Sequence, residues 1–183
     1  GLGRLRPNAV LLGCPLSVDR MKVFGGLLRN LQGLSRSAVV LRRTDEPVDD
    51  WKPPSGTVDV WWRGRANGEL MVLLAHLILQ NEDWRGRELR LLRVVDNEAG
   101  IDEVRNHLDG LLKAARISGV TKVVVSKDPE LAIQTTSRNA AMVFLGMQPP
   151  NIGDEEAFFY RTEKLAGGLS RVVFVQSAGG MRL

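Results

Sequence analysis

Few side chains in this 183-residue sequence are of a kind that does chemistry, and their spacing decides what each is worth. Cys14 is the single cysteine and stands in "GCPLS". A thiolate there would serve as a nucleophile, but no adjacent sequence partner would lower its pKa. It reads as a small residue in a tight turn before Pro15. His76 and His107 fall on helix-like segments and belong to no HExxH or other metal spacing. Asp59 lies inside an apolar strand-like run, where a buried carboxylate must find hydrogen-bond donors. With no second acid or base at a telling position, it reads as a structural anchor. A hydrolase using Cys14 or Asp59 remains a third functional reading, for which the sequence names no activity.

Phosphate chemistry has equally little to stand on. There is no GxxxxGK[ST], no GxSxG and no GxGxxG; the opening "GLGRLR" has Arg6 where the last glycine should be. Gly64 and Gly68 in "RGRANG" flank a helix start, where backbone N–H groups can approach an anion. The segment reads instead as a solvated turn carrying Arg63 and Arg65. Ser126-Lys127 and "GMQPPNIGDEE" are weaker candidates at strand ends, and the acids of the latter would repel an anion.

The elements that must position these residues alternate between strand-like and helix-like runs. Strands are expected over Asn8 to Gly13, Ser37 to Arg43, "TVDVWW", Glu88 to Val95, Val120 to Ser126, "AMVFLG" and "RVVFVQ". Ser17 can cap a helix with Val18, Met21, Phe24, Leu27, Leu28 and Leu31 at helical spacing. A second helix is expected over Glu69 to Gln80. A third has Ile101, Val104, Leu108, Leu111, Leu112 and Ala115 on one face, with Asp102 and Glu103 in its first turn. "DPE" at Asp128 and an acidic start at Asp154 begin the last two. The Pro- and Asp-rich stretch Asp45 to Gly56 is an exposed loop.

Apolar strands separated by single helices imply one α/β domain over residues 1–183, with a mainly parallel sheet covered by helices on both faces. Trp61 and Trp62, adjacent on a strand, must face opposite sides of the sheet. One fills the core; the other covers the opposite helix layer or is left for a partner surface.

Composition agrees with a folded domain: 44% apolar, 25% charged and a net charge of +4. The basic residues are scattered and do not form the concentrated stripe that marks nucleic-acid binding. A lone cysteine fits a reducing compartment. The longest apolar run, "MVLLAHLIL", is too short to span a bilayer. "GLGRLRPN", without an initiator methionine, reads as a linker entering a fold.

Three ordered stretches carry a resemblance. "GLGRLRPNAVLLG", then "TVDVWW" with a glycine-containing turn and "LMVLLAHLI", then "SRNAAMVFLGMQPP" and "DEEAFFYRTEKLAGGLSRVVFVQSAGG" together resemble the cytosolic carboxy-terminal region of the cation-chloride cotransporters. The resemblance runs from Gly1 to about Gly180, nearly the whole chain. It implies a universal-stress-protein-like α/β module, the second half of that region, on the cytoplasmic side of the cell membrane. It further implies a regulatory domain, without catalysis or cofactor, that forms a homodimer and couples to its own membrane transport domain and first cytosolic half. The candidate contact residues are Arg4, Arg6, Trp61, Trp62, Arg63, Arg65, Asn67 and Gly68. Animal members carry an acidic, double-glycine turn after the tryptophan pair, so contacts made by those acids do not transfer to Arg63 to Gly68. They also hold long insertions where this chain has one short helix, which fits a compact prokaryotic relative. The alternative from another class is a soluble nucleotide-binding sensor using a crevice at the strand carboxyl ends.

Overall fold

A computed structural model describes residues 8–44 and 55–179. Arg4, Arg6 and nearly all of the loop read over Asp45 to Gly56 lie outside the described residues. The chain builds β1 (Ala9–Gly13), α1 (Met21–Gly33), β2 (Ser37–Arg43), β3 (Val58–Trp61), α2 (Arg65–Leu79), β4 (Leu89–Val95), α3 (Ile101–Ala115), β5 (Val120–Val125), α4 (Pro129–Thr136), β6 (Met142–Gly146), α5 (Glu155–Ala166) and β7 (Arg171–Gln176). Single 3-10 turns precede α1 and β4.

Local chemistry explains the helix ends. Asp128 accepts a hydrogen bond from the Leu131 N–H at 3.0 Å, and Pro129 fills the first helical position, where no N–H is needed. Ser17 makes no side-chain cap; the 3-10 turn Val18–Arg20 stands between it and α1. Arg116 closes α3 in the left-handed region at φ 55°, a conformation usually given to glycine.

All seven strands form one sheet in the order β1-β2-β7-β6-β3-β4-β5. From β3 onward the strands are parallel, and the topological switch point lies between β3 and β6. β1 and β2 are parallel to each other, but β2 runs antiparallel to β7, with Ala38 opposite Gln176 and Arg43 opposite Arg171. The sheet is therefore mainly parallel, as expected. Its strand carboxyl ends, however, do not share one edge: those of β1 and β2 lie beside the amino end of β7. A helix between two strands carries the chain back to the same direction, and the Pro- and Asp-rich sequence between β2 and β3 lacks helical spacing.

Two cores result. Met21, Phe24, Leu28 and Leu31 of α1, Ile133 of α4, and Phe158, Phe159 and Ala166 of α5 cover one face. Leu70, Met71, Val72 and Ala75 of α2 and Leu108 and Leu112 of α3 cover the other. The adjacent tryptophans divide between them, Trp61 in the first core and Trp62 in the second. Strand alternation places them so, and both are buried, at 5% and 3% exposure. The expectation of an exposed tryptophan on a partner surface is corrected: helices cover both faces of β3.

Candidate functional site

The carboxyl ends of β3 to β7 make the edge at which an open α/β sheet holds ligands. The chain leaves β3 through Arg63 and Gly64, and α2 begins at Arg65, four residues before the helix expected at Glu69. Arg65, Asn67 and Gly68 thus belong to the first turn of a helix, not to a solvated loop. The Gly68 N–H closes that turn on the Gly64 carbonyl at 3.1 Å. Trp62 is the reason that glycine is required at 68: its ring occupies the space a Cβ would take. Gly68 and Trp62 are both buried and therefore do not form contact surface.

Asn67 bridges the chain ends beside the switch point. Its Nδ2 donates to the Met147 carbonyl at 3.0 Å, and its Oδ1 accepts from the Ser177 N–H at 2.8 Å. One amide thereby ties the start of α2 to the chain just past β6 and β7. Gly146 makes room for it, since a Cβ there would stand 3.0 Å from Asn67 Nδ2. Of the expected contact residues among those described, only Arg63 and Arg65 are exposed. The role of Asn67 as a bridge was not legible, because its partners lie 80 and 110 positions away.

Open space lies beside this bridge. A cleft of about 440 Å³ runs between the start of α2, the end of β6 and α5. A larger one of about 830 Å³ spans the ends of β3, β4 and β5 beneath α4 and α5. Trp61, Val94, Ile133 and Leu165 contribute its apolar lining, and Arg63, Arg93, Lys127 and Arg161 its cationic groups. These four cations form no ion pair among the described residues. Two of the acids nearby are committed: Asp128 caps α4, and Glu130 pairs with Lys164 at 2.5 Å. Asp96 accepts from its neighbour Asn97 at 2.9 Å.

Beneath the cleft, Asp59 is the hub of a buried network. Arg90 Nε and Nη2 donate to its two oxygens at 2.7 and 2.5 Å, Ser137 Oγ–H donates at 2.6 Å and Thr57 Oγ1–H at 2.7 Å. Trp61 Nε1–H in turn donates to Ser137 Oγ at 3.0 Å, and Arg90 also donates to the Thr136 carbonyl. The carboxylate is fully buried and fully partnered, and it fastens the end of α4 to β3 and β4. Asp59 is the anchor that its sequence context suggested.

Cys14 sits at the opposite edge, beyond β1. It is half-buried, its N–H donates to the Leu41 carbonyl, and burial together with the nearby Glu163 charge pushes the thiol up to about 11. Arg42 forms a two-point ion pair with Glu163 at 2.7 Å on each arm. That hydrogen bonding holds Glu163 below the usual carboxylate range. His76 is half-buried on α2, and His107 meets the edge of Trp62, with ring centroids 6.5 Å apart. Among the described residues no group of three or more His, Cys, Asp or Glu side chains could hold a metal ion, and no helix is long and apolar enough to cross a membrane.

No protein-family model matches the chain. It is 23% identical over 148 residues to cation-chloride cotransporter 1 of Arabidopsis thaliana, with 78% of this chain matched to 15% of that protein. It is 25% identical over 143 residues to potassium/chloride cotransporter 3 of Caenorhabditis elegans, with 76% of this chain matched to 13% of that one. The chain thus spans about one seventh of the length of the relatives it matches. In three dimensions it superposes on the cytoplasmic domain of a prokaryotic cation chloride cotransporter with a TM-score of 0.70, at 18% identity, over 97% of this chain and 67% of that one. A universal stress protein from Archaeoglobus fulgidus matches with a TM-score of 0.59, at 15% identity, over 91% of this chain and 60% of that one. The fold is the universal-stress-protein-like α/β arrangement. In sequence the chain is similar to the cation-chloride cotransporters, and in fold to the cytoplasmic domain of a prokaryotic one.

Proposed function

We propose that this chain is a regulatory and dimerisation domain on the cytoplasmic side of a cation-chloride cotransporter, without an active site of its own. The observation that carries the reading is the joint similarity in sequence, over 78% of the chain, and in fold, over 97% of it. Such a domain biases a membrane transport bundle between states only if it makes different contacts in each. Arg63 and Arg65 are exposed at the mouth of the sheet, where a partner element can reach them. The test reconstitutes the whole transporter in vesicles and measures chloride-dependent rubidium or sodium uptake. Arg63→Glu together with Arg65→Glu is expected to change the transport rate at unchanged protein amount. Uptake and subunit association that survive deletion of the entire domain would overturn the reading.

A second reading, a nucleotide-binding sensor, is supported by the 830 Å³ cleft with its apolar lining and four cationic side chains. ATP or AMP at a hundred times its Kd would stabilise the fold by about 2.7 kcal/mol. A thermal melt unchanged at millimolar nucleotide removes this reading.

A further inference from the structure

The two edges of the sheet differ in kind. β5, at one edge, exposes Lys122, a charge that discourages strand addition. β1, at the other, reads "AVLLG": it has no charge, pairs with β2 alone among the described residues and leaves Leu11 72% exposed. Val10 and Leu12 point into the core under α1, so Leu11 points to the opposite side of the sheet.

α1 repeats the pattern. Its core stripe is Met21, Phe24, Leu28 and Leu31, and its side next to α5 holds Gly25 against Glu155, with Arg29 paired to Glu155 at 2.9 Å. At 3.6 residues per turn, Val23, Leu27 and Leu34 fall on the third side, turned away from α5. They are 80%, 38% and 69% exposed, and Leu16, just before the helix, is 79% exposed. An uncharged strand edge and an apolar helix flank therefore lie at the same end of the sheet.

We propose that this edge is where two copies of the chain meet about a two-fold axis, β1 pairing antiparallel with β1 of the second copy; the inference rests on the dimerisation reading above. The occupant follows from self-complementarity. An isologous contact sets a surface against itself, so it tolerates little charge at the centre and needs opposite signs at matching distances from the axis. Leu11 is the middle residue of β1, and an axis through it sets Ala9 against Gly13 and Val10 against Leu12. α1 runs back along β1, and an axis through its middle near Leu27 sets Val23 toward the Leu34 end of the second copy. The same operation sets Asp19 toward Arg36 of that copy. Neither Asp19 nor Arg36 has an ion-pair partner among the described residues. Edge pairing also satisfies the backbone groups of β1 that meet no strand among the described residues.

The test places a cysteine on the axis. Leu11→Cys in a Cys14→Ser background sets two thiols opposite each other on antiparallel strands, within disulfide range. We expect mild oxidation to give a covalent dimer, whereas Val120→Cys on β5 stays monomeric under the same treatment. Leu27→Asp, a change on the exposed helix flank, is expected to weaken association at least tenfold by analytical ultracentrifugation, with the far-ultraviolet circular dichroism unchanged. Asp19→Arg is expected to weaken it too, and adding Arg36→Asp to restore it. A dimer that neither cross-links at Leu11 nor responds to Leu27→Asp overturns this surface and leaves the dimerisation reading standing. A chain that stays monomeric at all concentrations, with no Leu11 cross-link, overturns both for this domain.

Discussion

The ring of Trp62 stands where a side chain on Gly68 would begin, so the helix glycine and the strand tryptophan define each other's place. Helix propensity alone would favour alanine over glycine by about 1 kcal/mol. The steric conflict reverses that sign. We expect Gly68→Ala to destabilise the fold by about 1–3 kcal/mol, as overpacking in a full core does. A red-shifted tryptophan emission should accompany it. Gly64 is the control: nothing lies near its Cβ position, and its φ of 169° is ordinary extended backbone. Gly64→Ala should leave the melt within about 0.5 kcal/mol of the parent.

Asp59→Ala should be the most damaging single change outside the apolar core. It leaves the Arg90 guanidinium, 19% exposed, without its two-point partner and strips acceptors from Ser137 and Thr57. Removing one member of a buried pair costs about 3–5 kcal/mol, which for a domain of this size is roughly 10 °C in Tm. A calorimetric melt of the variant checks it. A loss below 1 kcal/mol would show that the network is dispensable.

Glu163→Gln tests the Arg42 pair through pH. Glu163 is held below its ordinary value by the hydrogen bonds and then the charge of Arg42, so its folded pKa lies below its unfolded one. Its stabilisation is complete above the unfolded pKa of about 4.3 and is lost as pH falls through the folded value. At pH 7 the variant should lose about 1–2 kcal/mol, given the partial exposure of the carboxylate. The difference between parent and variant should shrink steadily below pH 4. A gap that is constant from pH 7 to 3 would refute the assignment.

Cys14 should be a slow thiol. With its pKa near 11, roughly one molecule in a thousand is thiolate at pH 8. Reaction with a disulfide reagent is expected to lag far behind that of the unfolded chain and to rise steeply with pH toward 11. Equal rates in native and denaturing buffer would contradict the burial.

The local signals were strong where the chemistry is local. Asp128-Pro129 marks the start of α4 within three residues, and the alternation at Trp61-Trp62 assigns each ring to its own face. The reading of Asp59 as an anchor needed only its apolar neighbours. What was not legible depends on distant partners. Asn67 looks like a turn residue until Met147 and Ser177 close on it, and Gly68 looks like a loop glycine until Trp62 fills its side. The reversal of β1 and β2 is a property of pairing with β7, a strand at the far end of the sequence. The four cations of the larger cleft come from four separate elements, so no window of sequence contains them together.

That late pairing sets an order on how the molecule can be made. Within this domain β1, α1 and β2 are made before β7, yet among the described residues β2 joins β1 and β7 alone. The Gln176 side chain, reaching the Leu28 carbonyl across 148 positions, closes the circuit. The four parallel strands β3 to β6 can pair with one another before β7 is made, whereas β2 reaches the rest of the sheet through β7. Contacts of such sequence separation slow folding. A chain cut short before Arg171 would therefore fail at both of its ends at once.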